Sequence, residues 1–141
     1  MARKAKEVYY DGHHFKSILE KDVYCVLVEA GFKPAYEKRK YTLIEGFKPS
    51  VPFYTKSKGK VKYKLNNRTV LETTYLPDFT FKYKGYFVIV EAKGKIYDDY
   101  DIKRKLFRQQ LEKVSQYEKI LFFEVYSKYN ALKMIEILKE L

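Results

Sequence analysis

Two carboxylates and one amine stand at spacings that could do chemistry. Pro77-Asp78 is followed thirteen residues on by Glu91-Ala92-Lys93. Brought to one place, such groups can hold a divalent cation and orient a water beside a phosphate. The intervening residues decide whether they meet. Phe79, Phe81 and Tyr83 alternate with Thr80 and Lys82, Lys84-Gly85 supplies a turn, and Tyr86 to Ala92 is a mainly apolar run. This pattern predicts a hairpin that folds Asp78 back beside Glu91 and Lys93. Glu91 and Lys93, two apart on a strand, leave the same face. The bland alternative is a salt bridge between them at an exposed strand end. The apolar stretch Phe87-Val88-Ile89-Val90 argues against it, because charges that end a buried strand need a reason.

The other elements follow from periodicity. Residues 1–14 read as a polar N-terminal arm, with His13 and His14 solvated, and residues 15–141 as a single domain. Ser17 to Ala30 reads as a helix with Ile18, Leu19, Val23, Val26, Leu27 and Ala30 on one face and Gly31 at its C-terminal end. Tyr36 to Phe47 and Arg68 to Tyr75 read as strands. Between them, at about 53–67, lies a lysine-rich hairpin turning at Gly59. Lys56, Lys58, Lys60, Lys62 and Lys64 take every second position, which predicts one basic face and one apolar face. Asp98, Asp99 and Asp101 open a helix whose expected stripe is Ile102, Leu106, Leu111 and Val114. Ile120 to Val125 reads as a buried strand parallel to the Glu91 strand, and Asn130 as the cap of a last helix. The fold class is therefore α/β, a central mixed β-sheet flanked by helices.

Composition sets the partner class. Lys and Arg number 29 against 18 Asp and Glu, a net charge of +11. Such an excess favours a polyanion, with nucleic acid the first candidate. An anionic membrane surface is the second, but no segment approaches the ~20 apolar residues of a spanning helix. The basic start lacks the apolar run of a secretory signal. Cys25 is the single cysteine, which excludes an internal disulfide and a cysteine zinc site and suits a cytoplasmic setting. Candidate phosphate contacts are the alternating lysines, Lys95 just past the motif, and Lys103, Arg104, Lys105 and Arg108 on the second helix. Mg²⁺ is the expected cofactor, because it takes hard oxygen ligands and keeps several waters; Mn²⁺ can substitute. The aspartates at 98, 99 and 101 could also hold metal, but helix capping explains them more simply.

Pro77-Asp78 … Glu91-Ala92-Lys93 resembles the signature of the PD-(D/E)xK nuclease superfamily. The wider Tyr75-Leu76-Pro77-Asp78-Phe79 and Val90-Glu91-Ala92-Lys93-Gly94 are similar to phage T7 endonuclease I-type Holliday junction resolvases and related phage nucleases. Phe15 to Glu20 resembles the start of their first helix, and Gly94 with Asp101 to Lys105 the segment after the motif. The resemblance implies a restriction-endonuclease-like core, metal held by Asp78 and Glu91 with Glu20 completing the site, and Lys93 assisting the water. It also implies cleavage of branched DNA by a homodimer in the host cytoplasm. Ser17-x-x-Glu20 is equally a capping box, which gives Glu20 a structural alternative. The rival functions are another nuclease of the superfamily (nicking, restriction-like or transposition-associated) and a non-catalytic basic nucleic-acid-binding protein.

Overall fold

The computed structural model describes residues 6–56, 59, 62–94, 96 and 98–141, with the backbone alone for Asp98. In chain order the elements are β1 (Val8–Tyr10), β2 (His13–Phe15), α1 (Ile18–Glu29), β3 (Ala35–Tyr36), β4 (Tyr41–Ile44), β5 (Tyr54–Lys56), β6 (Tyr63–Leu65), β7 (Thr73–Tyr75), β8 (Phe79–Tyr83), β9 (Tyr86–Ala92), α2 (Asp98–Val114), β10 (Lys119–Val125) and α3 (Lys128–Lys139).

The motif-bearing hairpin is the centre of the molecule. Strands β8 and β9 pair antiparallel in the register Phe79↔Val90 to Tyr83↔Tyr86. Lys84 and Gly85 turn the chain with φ of 48° and 82°, the double left-handed conformation that two-residue hairpin loops require. On the outer side of β9, β10 runs parallel from Lys119↔Tyr86 to Val125↔Ala92. On the outer side of β8, β3 pairs antiparallel. The result is a four-stranded mixed sheet of order β10-β9-β8-β3.

Strand alternation gives this sheet two buried faces. Val88 and Val90 of β9, Phe79 and Phe81 of β8 and Val125 of β10 pack with Val23 and Leu27 of α1 and Met134 and Leu138 of α3. Phe87 and Ile89 point the other way, into a second core with Tyr100, Phe107 and Leu111 of α2 and Leu43 and Tyr75 of the β4–β7 pair. Even and odd residues of β9 thus serve separate cores. Glu91 shares the parity of Phe87 and Ile89, so it faces the α2 side at the end of the strand. The chain is mixed α/β with helices against both faces of a central sheet. Among the described residues no helix is long and apolar enough to cross a membrane.

Several local expectations differ from the structure. Residues 8–14 of the expected arm form, with Phe15, the β1–β2 hairpin, turned at Asp11-Gly12 with φ of 50° and 77°. It is anchored by fully buried Phe15 and by the Tyr24 hydroxyl donating to Asp11 at 2.6 Å. The strand expected over 36–47 is two short pieces, β3 and β4, which pair with different partners. The strand expected over 68–75 is regular only at β7, with an isolated bridge between Val70 and Phe47. On α2 the buried positions are Tyr100, Phe107 and Leu111, while Ile102 is exposed. The second core is aromatic, and it turns the helix by ring packing, Tyr75 and Phe122 against Phe107. The cap of α3 is Ser127, whose hydroxyl accepts from the Asn130 amide. Leu132 points to solvent on that helix, and Ala131, Met134 and Leu138 point inward.

Candidate functional site

The hairpin register does the positioning. With Phe79 opposite Val90, Asp78 lies beside Glu91, just where β8 begins and β9 is about to end. The Asp78 amide donates to Glu91 Oε2 at 3.2 Å, and the Ala92 amide donates to Asp78 Oδ2 at 2.8 Å. Each carboxylate is thus held by the strand that carries the other. Lys93 lies one residue past β9, but its amide continues the ladder by donating to the Val125 carbonyl at 2.9 Å. Its Nζ stands 3.2 Å from Glu91 Oε1 and 4.5 Å from the centre of the Tyr100 ring. The Tyr75 hydroxyl completes the set, donating to Glu91 Oε2 at 2.7 Å.

A second group of side chains arrives from the N-terminal third. Ser17 caps α1 by accepting from the Glu20 amide at 3.1 Å, and its hydroxyl also donates to Glu20 Oε2 at 3.1 Å. The capping-box spacing is therefore present. Yet the other Glu20 oxygen accepts from the Tyr36 hydroxyl at 2.9 Å, and one carboxylate oxygen each from Glu20, Glu37 and Asp78 lie within 4.8 Å of one another. The Glu20 side chain thus spans both roles.

Glu37 was not legible in the sequence. It follows β3 in a left-handed conformation, φ 46°, which an L side chain adopts at a cost. Its amide donates to the Asp78 carbonyl at 2.8 Å, so the unusual backbone turns the side chain toward Asp78 rather than along the strand. Lys16 reaches it at 2.8 Å from the opposite rim. The available signal was an acidic residue ending the short Ala35-Tyr36 run, but nothing local links that run to Asp78.

The electrostatics follow from burial. Glu20, Asp78 and Glu91 are 5%, 8% and 3% exposed, values that carboxylates reach only with strong compensation. Burial pushes the Asp78 carboxyl well above the ordinary range, and the nearby charges of Glu91 and Glu20 push it further. Burial also raises Glu91, opposed by the Tyr75 hydroxyl and by Lys93. Burial and Glu91 together keep the Tyr75 hydroxyl protonated far above its usual value, so it remains a donor. Among the described residues no lysine or arginine forms an ion pair with Asp78 or Glu20, whereas Glu91 has Lys93 and Glu37 has Lys16. Converging oxygen donors with an excess of buried negative charge fit a hard divalent cation. The fit is to Mg²⁺ or Mn²⁺ rather than to a thiolate- or imidazole-seeking metal.

These groups line an open cleft of about 570 Å³, bordered by Lys16, Asp99, Tyr100 and Lys103. Of the candidate phosphate contacts among the described residues, Lys103 alone lines this cleft. Arg104, Lys105 and Arg108 line a separate cleft between α2 and β10, of about 520 Å³. There Arg104 bonds Asp101 at 2.7 Å and Glu124 at 3.0 Å, and Lys105 stands 3.5 Å from Asp101. Those ion pairs also account for Asp101, whose carboxyl Arg104 and Lys105 hold below its usual range. Glu124, opposite Glu91 in the parallel register, was another residue the sequence did not single out. It accepts from the Tyr100 hydroxyl at 2.6 Å and so fixes the ring that lies beneath Lys93. Lys56, Lys62 and Lys64 are exposed on or beside the β5–β6 hairpin and do not line the carboxylate cleft. Lys58, Lys60 and Lys95 lie outside the described residues. In comparisons with known proteins, the chain matches no family model, no curated protein and no solved structure.

Proposed function

We propose that this chain is a Mg²⁺-dependent endodeoxyribonuclease with a restriction-endonuclease-like core, cutting branched DNA such as Holliday junctions as a cytoplasmic homodimer. The observation that carries the reading is the pair of buried carboxylates Asp78 and Glu91 with the part-buried Lys93 where β8 begins and β9 ends, with Glu20 and Glu37 across an open cleft. Burying Asp78 beside the charges of Glu91 and Glu20 is costly, and a cation is what would offset the cost. Asp78 and Glu91 would hold that ion, with Glu20 and Glu37 completing the oxygen set. When bound, Mg²⁺ supplies charge neutralisation on a phosphate oxygen and a more acidic water.

The remaining work falls to the chain's own groups. Lys93 Nζ, steered by Glu91 and the face of Tyr100, would orient the attacking water and offset negative charge on the phosphate. Tyr75 holds Glu91 in one rotamer through its hydroxyl. Lys16 and Lys103 on the rim would receive the neighbouring phosphates. Preference for junctions and the two-fold dimer rest on the motif resemblance and on a geometric need. Resolving a junction takes two cuts, and each chain offers one such group.

The test is incubation with a four-way junction and a matched linear duplex, each with Mg²⁺ and with chelator. The expected result is paired nicks near the branch point in Mg²⁺ only. Equal cutting of both substrates would leave a nuclease without junction preference. Binding without cutting in Mg²⁺ or Mn²⁺ would replace the reading with a basic nucleic-acid-binding protein whose Lys93–Glu91 pair is structural.

A further inference from the structure

The β5–β6 ribbon contributes to neither core, yet it carries an organised aromatic surface. Its register pairs Tyr54 with Leu65, Thr55 with Lys64 and Lys56 with Tyr63. One face therefore presents Tyr54, Lys56, Tyr63 and Leu65 together, rather than lysines on one side and apolar groups on the other. The turn changes the parity, so Lys56 joins the aromatic face while Lys64 lies on the reverse. Tyr54 is 54% exposed and Tyr63 74%. Their rings lie diagonally across the two strands, nearly parallel at 25°, with centroids 6.3 Å apart. A groove of about 420 Å³ runs beside the ribbon, lined by Phe47, Phe53 and Arg68 among others.

We propose that this ribbon is a stacking platform for unpaired bases of a nucleic-acid strand. It deepens the nuclease reading by naming the substrate feature engaged away from the cleft, and it rests on that reading for the class of polyanion. Exposed aromatic rings beside a cation are how proteins hold single strands without sequence preference: bases stack on the rings and the cations follow the backbone. Charge decides between this occupant and a second copy of the chain. A two-fold interface built on this face would bring two copies of Lys56 into one contact, between chains that each carry a net charge of +11. A phosphate backbone turns the same charges into attraction.

The experiment measures binding of a fluorescent short oligothymidylate by anisotropy, with chelator present so that no strand is cut. Replacing both rings, Tyr54→Ala with Tyr63→Ala, should weaken binding roughly 5- to 150-fold for each base stacked. The double Phe variant keeps the rings and should stay within about twofold of wild type. Lys56→Gln should flatten the log-log salt slope by about 0.7, the single-strand increment for one phosphate contact. Circular dichroism melts establish that each variant is folded; should the double Ala variant fail to fold, Tyr63→Ala alone carries the same comparison. The inference is overturned if the Ala variant binds as wild type, or if the Phe variant loses as much as the Ala variant. It is also overturned if the Ala variant instead converts a dimer to a monomer in light scattering at unchanged oligothymidylate affinity. A wild-type chain that cuts no DNA in Mg²⁺ would defeat the nuclease reading alone, since the affinity difference between the Ala and Phe variants is measured without catalysis.

Discussion

Replacing Asp78 by Asn should stabilise the metal-free protein, the opposite of what removing a structural carboxylate would do. Asp78 is buried, and oxygens of Glu20 and Glu37 lie within 4.8 Å of its own. At an effective dielectric near 20, one pair of like charges at that separation costs about 3 kcal/mol. Proton uptake limits this cost, because holding a carboxyl neutral at pH 7 takes about 1.4 kcal/mol per pH unit above its ordinary value, or about 4 kcal/mol in all. Against the relief stands a weakened hydrogen bond from the Ala92 amide, about 1–2 kcal/mol when its acceptor loses charge. The net expectation is a gain of about 1–2 kcal/mol, or roughly 3–10 °C in Tm for a chain of this size. The sign with pH follows from linkage. Folding raises the Asp78 carboxyl, so the folded state binds its proton more tightly. That contribution is fully favourable below the unfolded value of about 4 and is lost as pH rises through the higher folded value. The Tm advantage of Asp78→Asn should therefore be small at pH 4 and grow toward pH 8. Thermal melts of both proteins in chelator across that range measure it. Adding Mg²⁺ should raise the Tm of wild type and leave the variant unmoved. A variant less stable than wild type at pH 7, with a difference that does not change with pH, would refute the reasoning.

Three further outcomes follow from the same geometry. Lys93→Ala should cut turnover by about 10²–10⁴-fold with little change in Tm, since a part-exposed amine contributes more to charge in the reaction than to packing; steady-state cleavage and melting curves check both. Glu20→Gln keeps an acceptor for one of the Ser17 and Tyr36 hydroxyls, offers the other an amide N–H and removes a charge, so folding should survive while the Mg²⁺ needed for half-maximal cutting rises, and unchanged metal dependence would return Glu20 to its capping role. Glu37→Gly should relieve a left-handed backbone that costs an L-residue about 1–2 kcal/mol, against glycine's entropic cost of about 0.5–1 kcal/mol, and remove one oxygen donor, so the metal-free Tm should hold while Mg²⁺ affinity by calorimetry falls.

What the sequence made legible was what is encoded locally. The alternation through Phe79 to Tyr83, the Lys84-Gly85 turn and the apolar run after it specify a hairpin from neighbours alone, and that hairpin sets Asp78 beside Glu91. Ser17 and Glu20 likewise announce a helix start by spacing. Glu37 was hidden because its place depends on β3 pairing with the distant β8, and Glu124 because the register of β10 on β9, rather than the parallel pairing itself, sets it opposite Glu91. The face of α2 was misjudged for a related reason. Its aliphatic stripe suggested Ile102, but a core built from Tyr41, Tyr75 and Phe122 around Phe107 fixed the rotation instead. The parity of the lysine ribbon depended on the loop at its tip, and counting every second residue through a turn does not preserve a face.

The parallel pairing of β9 with β10 bears on the order in which the chain becomes competent. A ribosome delivers β8 and β9, with Asp78 and Glu91, before α2 and β10 exist. Until then the Lys93 amide lacks the Val125 carbonyl, Tyr100 is not fixed by Glu124, and the carboxylates stand in water rather than in a buried cleft. Solvated carboxylates have ordinary acidity and weak hold on a cation. On the proposed reading, metal binding would wait for β10 to pair with β9, and a half-made chain on its messenger would carry the motif without the means to cut nucleic acid nearby.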